Sequence, residues 1–472
     1  MSRKITAGEI ANMLAHSGEI GCSKGKIFIK QPESWWKEVD DLEADMNILH
    51  IISKAGGEEF SAHFIGEIRK KLTIIPELQL DFENIPQNCV NLKNGVFDID
   101  TGEIEKATAQ NVDFPYVYRF EYKKNCKLQE APCFEHVLRD AFDEKHYEKK
   151  VRFVLQMMGY IMSSYTCAKT AFFVLGPSDS GKSVLLELLG IMMGEENISS
   201  MAFHKVGSRF NLAKLLNVRA NISTEISSQR CPDWDIFKQI TSGERVTAEY
   251  KGKAPFTFRV QAKLISAGNV MPPLEKMEGA DAIIRRMKIL LFDKAIPLAQ
   301  QDKFLLEKLK EEVDVIGSLS MDALMDLKAN NFEFVELEDA ETYKGEFARQ
   351  GAVFQDFVKE CCEISEDFKV HLTALWDYFQ KYCHENLQEL RMTKTEFSQN
   401  VAKIEGIKRE KFRICGSRPL WGFKGIRIKR EEYAWQDYRS YSDKPLSLYS
   451  DTQNVETTVM KEEHLEHGTE EQ

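Results

Sequence analysis

The sequence predicts an α/β core of the P-loop kind, preceded by a mostly helical N-terminal region and followed by a C-terminal winged helix. Three stretches carry that prediction. Residues 170–295 alternate short apolar strands with helical segments, the order of an α/β nucleotide-binding core. Within them FFVLGPSDSGKSVLLELLG, residues 172–190, passes from an apolar run through a glycine-bounded loop into an apolar, helix-like segment. Residues 350–430 run helix, strand, helix, helix, strand, strand, the order of a winged helix, a variant of the helix-turn-helix.

The 472 residues divide into six stretches. Residues 1–90 read as mostly helical, with one short strand at KIFI (26–29). Residues 91–165 open on NLKNGVFDIDTGEI. Its Asn94-Gly95 and Thr101-Gly102 pairs bound alternating apolar positions and predict a β-ribbon. Helices follow from 132 to 165, where FEHVLRDAF spaces its apolar residues at helical intervals. The core occupies 166–300, and 301–349 read as a charged helical connector. The winged helix covers 350–432, with helices at VFQDFVKECC, LTALWDYFQKYC and TKTEFSQNVAKI and strands at FKVHL, EKFRICG and WGFKGIRIK. Residues 433–472 form an acidic tail whose last 22 residues hold seven acids and one lysine, which predicts disorder.

Composition excludes some classes. Hydrophobic residues make up 43% and charged residues 29%, as in ordinary soluble globular chains. No apolar run reaches the roughly 18 residues that argue for a transmembrane helix, so no membrane partner is expected. MSRKITAGEIANML lacks the apolar core and cleavage site of a signal peptide. The ten cysteines form no C-x-x-C pair, and neither Cys361-Cys362 nor Cys383 beside His384 has zinc-ligand spacing. They read as reduced thiols in a cytosol-like compartment. The net charge of −11 argues weakly against a nucleic-acid partner, so local patches decide that question.

Gly176-x-x-x-x-Gly181-Lys182-Ser183 has the spacing of a phosphate-binding loop. Phe172 to Leu175 would be a buried strand. Gly176, Pro177, Ser178, Asp179, Ser180 and Gly181 would turn the backbone so that its N–H groups meet phosphate oxygens. The helix beginning near Lys182 adds its positive dipole end. Lys182 would bridge the β- and γ-phosphates and Ser183 would hold Mg²⁺, so ATP and Mg²⁺ are the implied cofactors. A chance match in a glycine loop is the alternative, and the strand before and helix after argue against it.

Three further segments are ambiguous alone. LLNVRANISTEIS (215–227) closes a short strand on Glu225, which would hold the metal or polarise water, though any surface glutamate would fit. Asp233 and Asp235 are the next acids to consider. In AKLISAGNVMPPL (262–274) a strand ends in small residues, Asn269 and a Pro-Pro turn. Asn269 would orient water or sense the γ-phosphate, or is an asparagine in an ordinary turn. In DAIIRRMKILLF (281–292) the pair Arg285-Arg286 precedes an apolar strand. An arginine there would stabilise a phosphoryl transition state, or the pair makes surface salt bridges.

In order and spacing, residues from about 170 to 297 resemble the superfamily 3 helicases. The resemblance is to the phage and plasmid primase–helicase family related to the poxvirus primase-helicase. It is carried by GPSDSGKS, ANISTEIS, FKQITSGERVTAEYKGKAPFTF, LISAGNVMPP and DAIIRRMKILLF. It implies an AAA+-like ATPase core in a homo-oligomeric ring, a hexamer. It assigns Glu225 as the Walker B acid and a metal ligand with Ser183, Asn269 as sensor, and Arg286, ahead of Arg285, as arginine finger. NLKNGVFDIDTGEI resembles the family's domain before the ATPase, and 350–430, ending LWGFKGIRIK, its winged helix. There are two departures. Thr224 stands where many members have a second Walker B acid. Only about 90 residues precede the matching part, with no acidic metal site or His pair of a primase, which implies a helicase served by a separate primase or polymerase.

DNA is the expected macromolecular partner. VTAEY (246–250) and PFTFRV (255–260) read as two strands joined by KGKA, with Lys251 and Lys253 at the tip. In the resembling family such hairpins line a channel around a single strand. Charges at a loop tip suit phosphate gripping without sequence reading, or mark a solvated basic turn. Residues 401–430 hold ten Lys or Arg against two Glu. Lys408, Arg409, Lys411, Arg413, Lys424 and Arg427 interleave with Phe412, Trp421 and Phe423, the footprint of a duplex-binding module, although winged helices also dock proteins. The leading function is an ATP-dependent DNA helicase in replication of a phage, plasmid or mobile element. The alternative is an origin-binding initiator ATPase that melts or marks a site without travelling. A small-molecule kinase would leave the lysine hairpin and basic C-terminal stretch without a role.

Overall fold

The computed structural model describes residues 6–32, 35–54, 61–106, 113–226, 233–271, 280–386, 392–413, 419–429 and 440–442. They belong to two compact units, Met1–Pro272 with Asp281–Thr342, and a second composed chiefly of Tyr343–Gln472.

The N-terminal region is α+β, which corrects the expectation of a mostly helical stretch. Helix α1 (Ala7–Ala15) is followed by strands β1 (Ile20–Ser23), β2 (Lys26–Lys30) and β3 (Trp36–Val39), then by α2 (Asp41–Lys54) and α3 (Ala62–Leu72). The strands form one antiparallel sheet in the order β1-β2-β3. KIFI lies in β2 as expected, and its two partners carry no clear sequence signal. IGCS in β1 is buried at all four positions, so it shows no alternation. The β1–β2 turn places Lys24 at φ 49° and Gly25 at φ 77°, and Lys-Gly is a weaker turn signal than Asn-Gly. A capping box between Thr6 and Glu9 starts α1. Ile10, Leu14, Ile27, Ile48, Ile68 and Leu72 form the shared core.

Strands β4 (Cys89–Leu92), β5 (Gly95–Asp98) and β6 (Glu103–Glu105) form the expected ribbon. Beyond it, Phe114, Tyr116, Tyr118 and Phe120 are fully buried and make a strap. The strap accepts the Trp36 N–H at Phe114 O (2.8 Å), and Tyr118 donates its hydroxyl to Met162 O (2.7 Å). It thereby joins the N-terminal sheet to α5 (Tyr147–Met162), which follows α4 (Pro132–Ala141).

The central sheet has five parallel strands. β7 (Ala171–Leu175), β8 (Ile198–Ser199), β9 (Ala220–Ser223), β12 (Lys263–Gly268) and β13 (Met287–Leu291) lie in the order β13-β7-β12-β9-β8. Between them run α6 (Lys182–Met193), α7 (Arg209–Leu212), α8 (Trp234–Thr241), the hairpin β10 (Arg245–Ala248) and β11 (Phe256–Arg259), and α9 (Ala280–Arg286). β7 is AFFVL, buried at every position, as a central parallel strand covered on both faces should be. Its alternation sends Phe172 towards Phe153, Tyr160 and Phe334, and Phe173 towards Phe203, which packs on Trp234 and Phe237. After β13 come α10 (Leu305–Glu311) and α11 (Val313–Ala329), within the expected helical connector. Among the described residues no helix is long and apolar enough to cross a membrane.

α12 (Glu338–Cys361) begins in the first unit, which runs to Thr342, and from Tyr343 the second unit follows the order expected for 350–430: the rest of α12, then β14 (Cys362–His371), α13 (Leu372–Glu385), α14 (Lys394–Ala402), β15 (Lys408–Phe412) and β16 (Leu420–Ile428). Phe357, Leu375, Phe379 and Phe397 pack on Val370, Phe423 and Ile426 of the sheet. That sheet is antiparallel in the order β15-β16-β14-β17. β17 (Ser440–Ser442) corrects the expectation of disorder throughout 433–472. Backbone pairing with β14 requires no apolar side chains, so composition could not signal it. Residues 443–472 lie outside the described residues.

Two glycines give opposite predictions. A Cβ at Gly159 in α5 would lie 2.2 Å from Ser320 O of α11, whereas one at Gly66 in α3 would meet nothing within 4 Å. Overpacking costs about 1–3 kcal/mol and outweighs the roughly 1 kcal/mol gain in helix propensity. Gly159→Ala therefore lowers the denaturation midpoint, and Gly66→Ala leaves it unchanged or raises it; urea titration checks both.

Candidate active site

The sheet register gathers the candidate catalytic residues. Leu175 at the end of β7 is level with Gly268 of β12 and with Leu291 of β13, while Ser223 of β9 pairs with Ser266. The loop 176–181, Glu225 and Asn269 therefore all leave the sheet at its C-terminal edge. In open α/β sheets that edge is where ligands bind.

The loop is tightly constrained. Gly176 has φ 152°, and a Cβ there would lie 2.4 Å from Phe292 O; Gly181 has φ 91° and Asp179 φ 56°. Backbone bonds clamp it from both sides: Gly176 N–H to Gly268 O (3.3 Å), Phe292 N–H to Leu175 O (2.7 Å) and Ile296 N–H to Asp179 O (2.7 Å). The exit of β13 is fixed in turn by the fully buried Lys150. Its amine donates to Leu291 O (2.8 Å) and pairs with Asp293 (2.8 Å) and Asp339 (2.7 Å).

Lys182 tests whether the loop suits a phosphate. The residue is 8% exposed, and its amine donates to Gly176 O (3.0 Å), Pro177 O and Ser180 Oγ (3.1 Å). Burial pushes the amine below its ordinary value. Its hydrogen bonds are thus to neutral oxygens, and an anion would be a better partner for a desolvated cation. The first turn of α6 has no side-chain cap, so its N–H groups also remain for an anion. These features fit a nucleotide phosphate. Among the described residues no group of three or more His, Cys, Asp or Glu forms a metal cage. A Mg²⁺ held by Ser183 and Glu225 would need phosphate oxygens to complete its shell.

Glu225 and Asn269 are both exposed. Ser223 Oγ donates to Glu225 O (3.1 Å) and fixes the turn that carries the acid. Asp233 is engaged elsewhere: it caps α8, accepting from Asp235 N–H (3.0 Å) and Ile236 N–H (3.1 Å). Asp235 pairs with Lys238 at 2.7 Å.

Arg286 stands at the opposite edge. It immediately precedes β13, so the five residues of that strand, about 16 Å, separate it from the loop 176–181. Its guanidinium donates to Ala282 O (2.9 Å) and Ser242 Oγ (3.4 Å), and its Nε is buried without a partner. Arg285 is exposed, with Nε on Asp281 O (3.2 Å).

The β10–β11 hairpin also rises from that edge, since β11 leads directly into the start of β12. Lys251 and Lys253 are exposed at its tip, where Gly252 takes φ 75°. Below them Tyr250 and Phe256 stack at 5.0 Å. The base is tied to the N-terminal sheet, because Glu83 bridges Arg245 and Lys24, each at 2.6 Å. Lys26 lies 5.6 Å from the Tyr250 ring.

Sequence reasoning missed the wall of the site. A cleft of about 600 Å³, within the usual range for small ligands, adjoins Gly181 to Val184. His136, Val137 and Asp140 of α4 and Gln300, Gln301 and Leu305 line its other side. No local motif marks these residues; folding alone brings them to the loop.

In the second unit, Lys408, Arg409, Lys411 and Arg413 are exposed on or just after β15. Lys424 pairs with Glu410 (2.6 Å), and Arg427 pairs with Glu363 (2.6 Å) beneath the Phe368 ring. These last two charges are therefore partly neutralised by the protein itself.

Comparison with known proteins adds family information. Residues 22–143 match the family model described as D5 N terminal like. The match spans the N-terminal sheet, the ribbon, the strap and α4. Residues 174–286, from β7 through α9, match a family of unknown function, DUF5906. Among solved structures, the A form apo structure of the NrS-1 C terminal region aligns with TM-score 0.44 and 12% identity over 90% of this chain and all of that one. A second apo structure of the same region gives 0.43 and 13%, with the same coverage.

If the loop 176–181 holds a nucleotide phosphate, a ligand-linked stability change follows. With MgATP at 100 times its Kd, binding adds about 2.7 kcal/mol to the unmodified chain, so its melting temperature rises. Lys182→Ala and Gly176→Ala show no such rise. Scanning fluorimetry with and without MgATP reads the difference, and an undiminished rise in both variants excludes the loop as the phosphate site.

Proposed function

We propose that this chain is the ATPase subunit of a ring-shaped DNA helicase, related to primase-helicases and acting in replication of a phage, plasmid or mobile element. The observation that carries the reading is the buried Lys182 amine on a clamped glycine loop, at the sheet edge that also carries Glu225 and Asn269. The D5 N-terminal-like match over residues 22–143 supports the same class.

In this reading Lys182 and the loop N–H groups hold the β- and γ-phosphates of ATP. Ser183 and Glu225 hold Mg²⁺, which supplies charge neutralisation at the phosphates. Glu225 takes the proton of the attacking water, and Asn269 orients that water or senses the γ-phosphate. The cleft against α4 receives the nucleoside. Arg286 cannot serve its own loop from the opposite edge, so in this reading it acts on the site of a neighbouring subunit, which calls for an oligomer; the helicase resemblance makes that a ring, a hexamer. Its unpaired Nε and the lack of a carboxylate partner among the described residues leave it available to a phosphate. Lys251 and Lys253 grip the backbone of a single strand. The second unit contacts duplex DNA through Lys408, Arg409, Lys411 and Arg413, with Lys424 and Arg427 behind them. A separate primase or polymerase works with the ring in the cytosol of a bacterium or viral host. An origin-binding ATPase that melts or marks a site is the alternative, favoured to the extent that the basic strand β15 binds a fixed duplex. Unwinding of a forked duplex separates the two.

Two outcomes follow. Glu225→Gln keeps ATP binding and loses turnover; hydrolysis at the unmodified rate transfers the role to another acid. Lys251→Ala with Lys253→Ala keeps basal ATPase, while DNA stimulation and unwinding fall sharply. Equal loss of basal activity would assign the hairpin to support of the ATP site.

A further inference from the structure

The second unit exposes an aromatic side chain that the proposed function leaves unused. Trp421 on β16 is 48% exposed and its neighbour Leu420 is 46% exposed, whereas Val370, Phe423 and Ile426 of the same sheet are buried. A large apolar side chain left open to water forgoes the stabilisation that burial would give.

Two cations flank the indole. Arg409 and Lys411 stand two residues apart on β15, hence on one face, and Lys411 is directly opposite Trp421. The guanidinium carbon of Arg409 lies 4.9 Å from the ring centre and Lys411 Nζ lies 5.1 Å from it. Their contacts differ from those of their neighbours. Lys424 and Arg427 are neutralised by Glu410 and Glu363. Arg409 and Lys411 have no carboxylate partner among the described residues and rest against the ring.

We propose that Trp421, Arg409 and Lys411 form a binding site for an unpaired DNA base. The indole stacks on the face of the base, and the two cations take the phosphates on either side of that nucleotide. The inference rests on the DNA-binding reading above but changes the ligand of this surface from duplex to single strand. In a duplex the faces of internal bases are covered by their neighbours, so only an unpaired or terminal base can meet an exposed ring. Stacking of this kind is tolerant of sequence, and cations beside the ring match the phosphates that accompany every base. One nucleotide thus supplies both chemistries that the surface presents. The site would hold a separated strand at a fork.

The test uses the full chain, without nucleotide, in a Lys251→Ala/Lys253→Ala background that removes the hairpin's share of binding. Probes of equal length are a single strand, a blunt duplex and a fork, with 2-aminopurine in the tail or in a paired position. Trp421→Ala is expected to weaken binding of single strand and fork by about 10- to 100-fold. It should also relieve quenching of 2-aminopurine in the tail, with blunt-duplex binding unchanged. Trp421→Phe keeps an aromatic face and most of the affinity, which separates stacking from any folding defect. Equal weakening on duplex and single strand overturns the proposal in favour of duplex docking. No effect on any DNA also overturns it and gives the ring to another partner, such as a protein. If the unmodified chain binds no DNA at all, the DNA-based function fails together with this inference; if it binds and Trp421→Ala changes nothing, only the inference fails.

Discussion

The pairing of β7 between β12 and β13 is the constraint on which the rest of the site depends. It sets Leu175, Gly268 and Leu291 at one level, so that three chain exits crowd the same edge. Gly176 meets the backbone of Phe292 there, in a space that excludes even a Cβ. The turn that follows is shaped by that crowding. It folds over the Lys182 amine, which then finds only neutral oxygens. A desolvated cation with such partners is a poor arrangement for the free protein and a good one for a phosphate complex. Lys150 extends the same constraint backwards, since its buried amine joins the end of β13 to Asp293 and Asp339. Removing one partner of such a buried network typically costs about 3–5 kcal/mol.

The parallel sheet also separates the proposed chemistry between two edges. The phosphate loop, Glu225 and Asn269 leave at the C-terminal edge. Arg286 and the root of the lysine hairpin lie at the other, where Arg286 touches Ser242, three residues before β10 begins. In a ring that arrangement would let a phosphate bound by one subunit act, through a neighbour's arginine, on the base of that neighbour's DNA hairpin. The hairpin is also held from below, because Glu83 ties Arg245 to Lys24 of the N-terminal sheet. Movement of the hairpin would have to exchange those ion pairs, each of which is only partly buried and so weak enough to break.

Much of this was legible because the signals are local. A glycine-bounded loop between apolar runs, a Lys-Gly-Lys tip between two strands, and the element order of 350–430 can each be recognised without knowing what they touch. The failures concern residues whose role is set at a distance. β1 is buried at all four positions and β3 at its two ends, so neither shows alternation. In the strap the aromatics Phe114, Tyr116, Tyr118 and Phe120 alternate, but Val117 between them is buried as well, so alternation alone does not say which positions the fold covers. His136 and Asp140 read as one side of an amphipathic helix, and only the fold turns them towards the loop. Sequence position alone favours Arg286 over Arg285; the inward contacts and unpaired Nε of Arg286 appear only in three dimensions.

The central claim is that each site is completed by Arg286 of a neighbouring subunit. It is tested most directly by single-turnover ATP hydrolysis in mixtures of two variants, each inactive alone. Lys182→Ala is titrated into Arg286→Ala at fixed total protein after subunit exchange. The account predicts recovery of hydrolysis that peaks at intermediate mixing, because some interfaces then pair an intact loop with an intact arginine. Hydrolysis that stays at zero across the titration, with mixed rings verified by tagged pull-down, would contradict it.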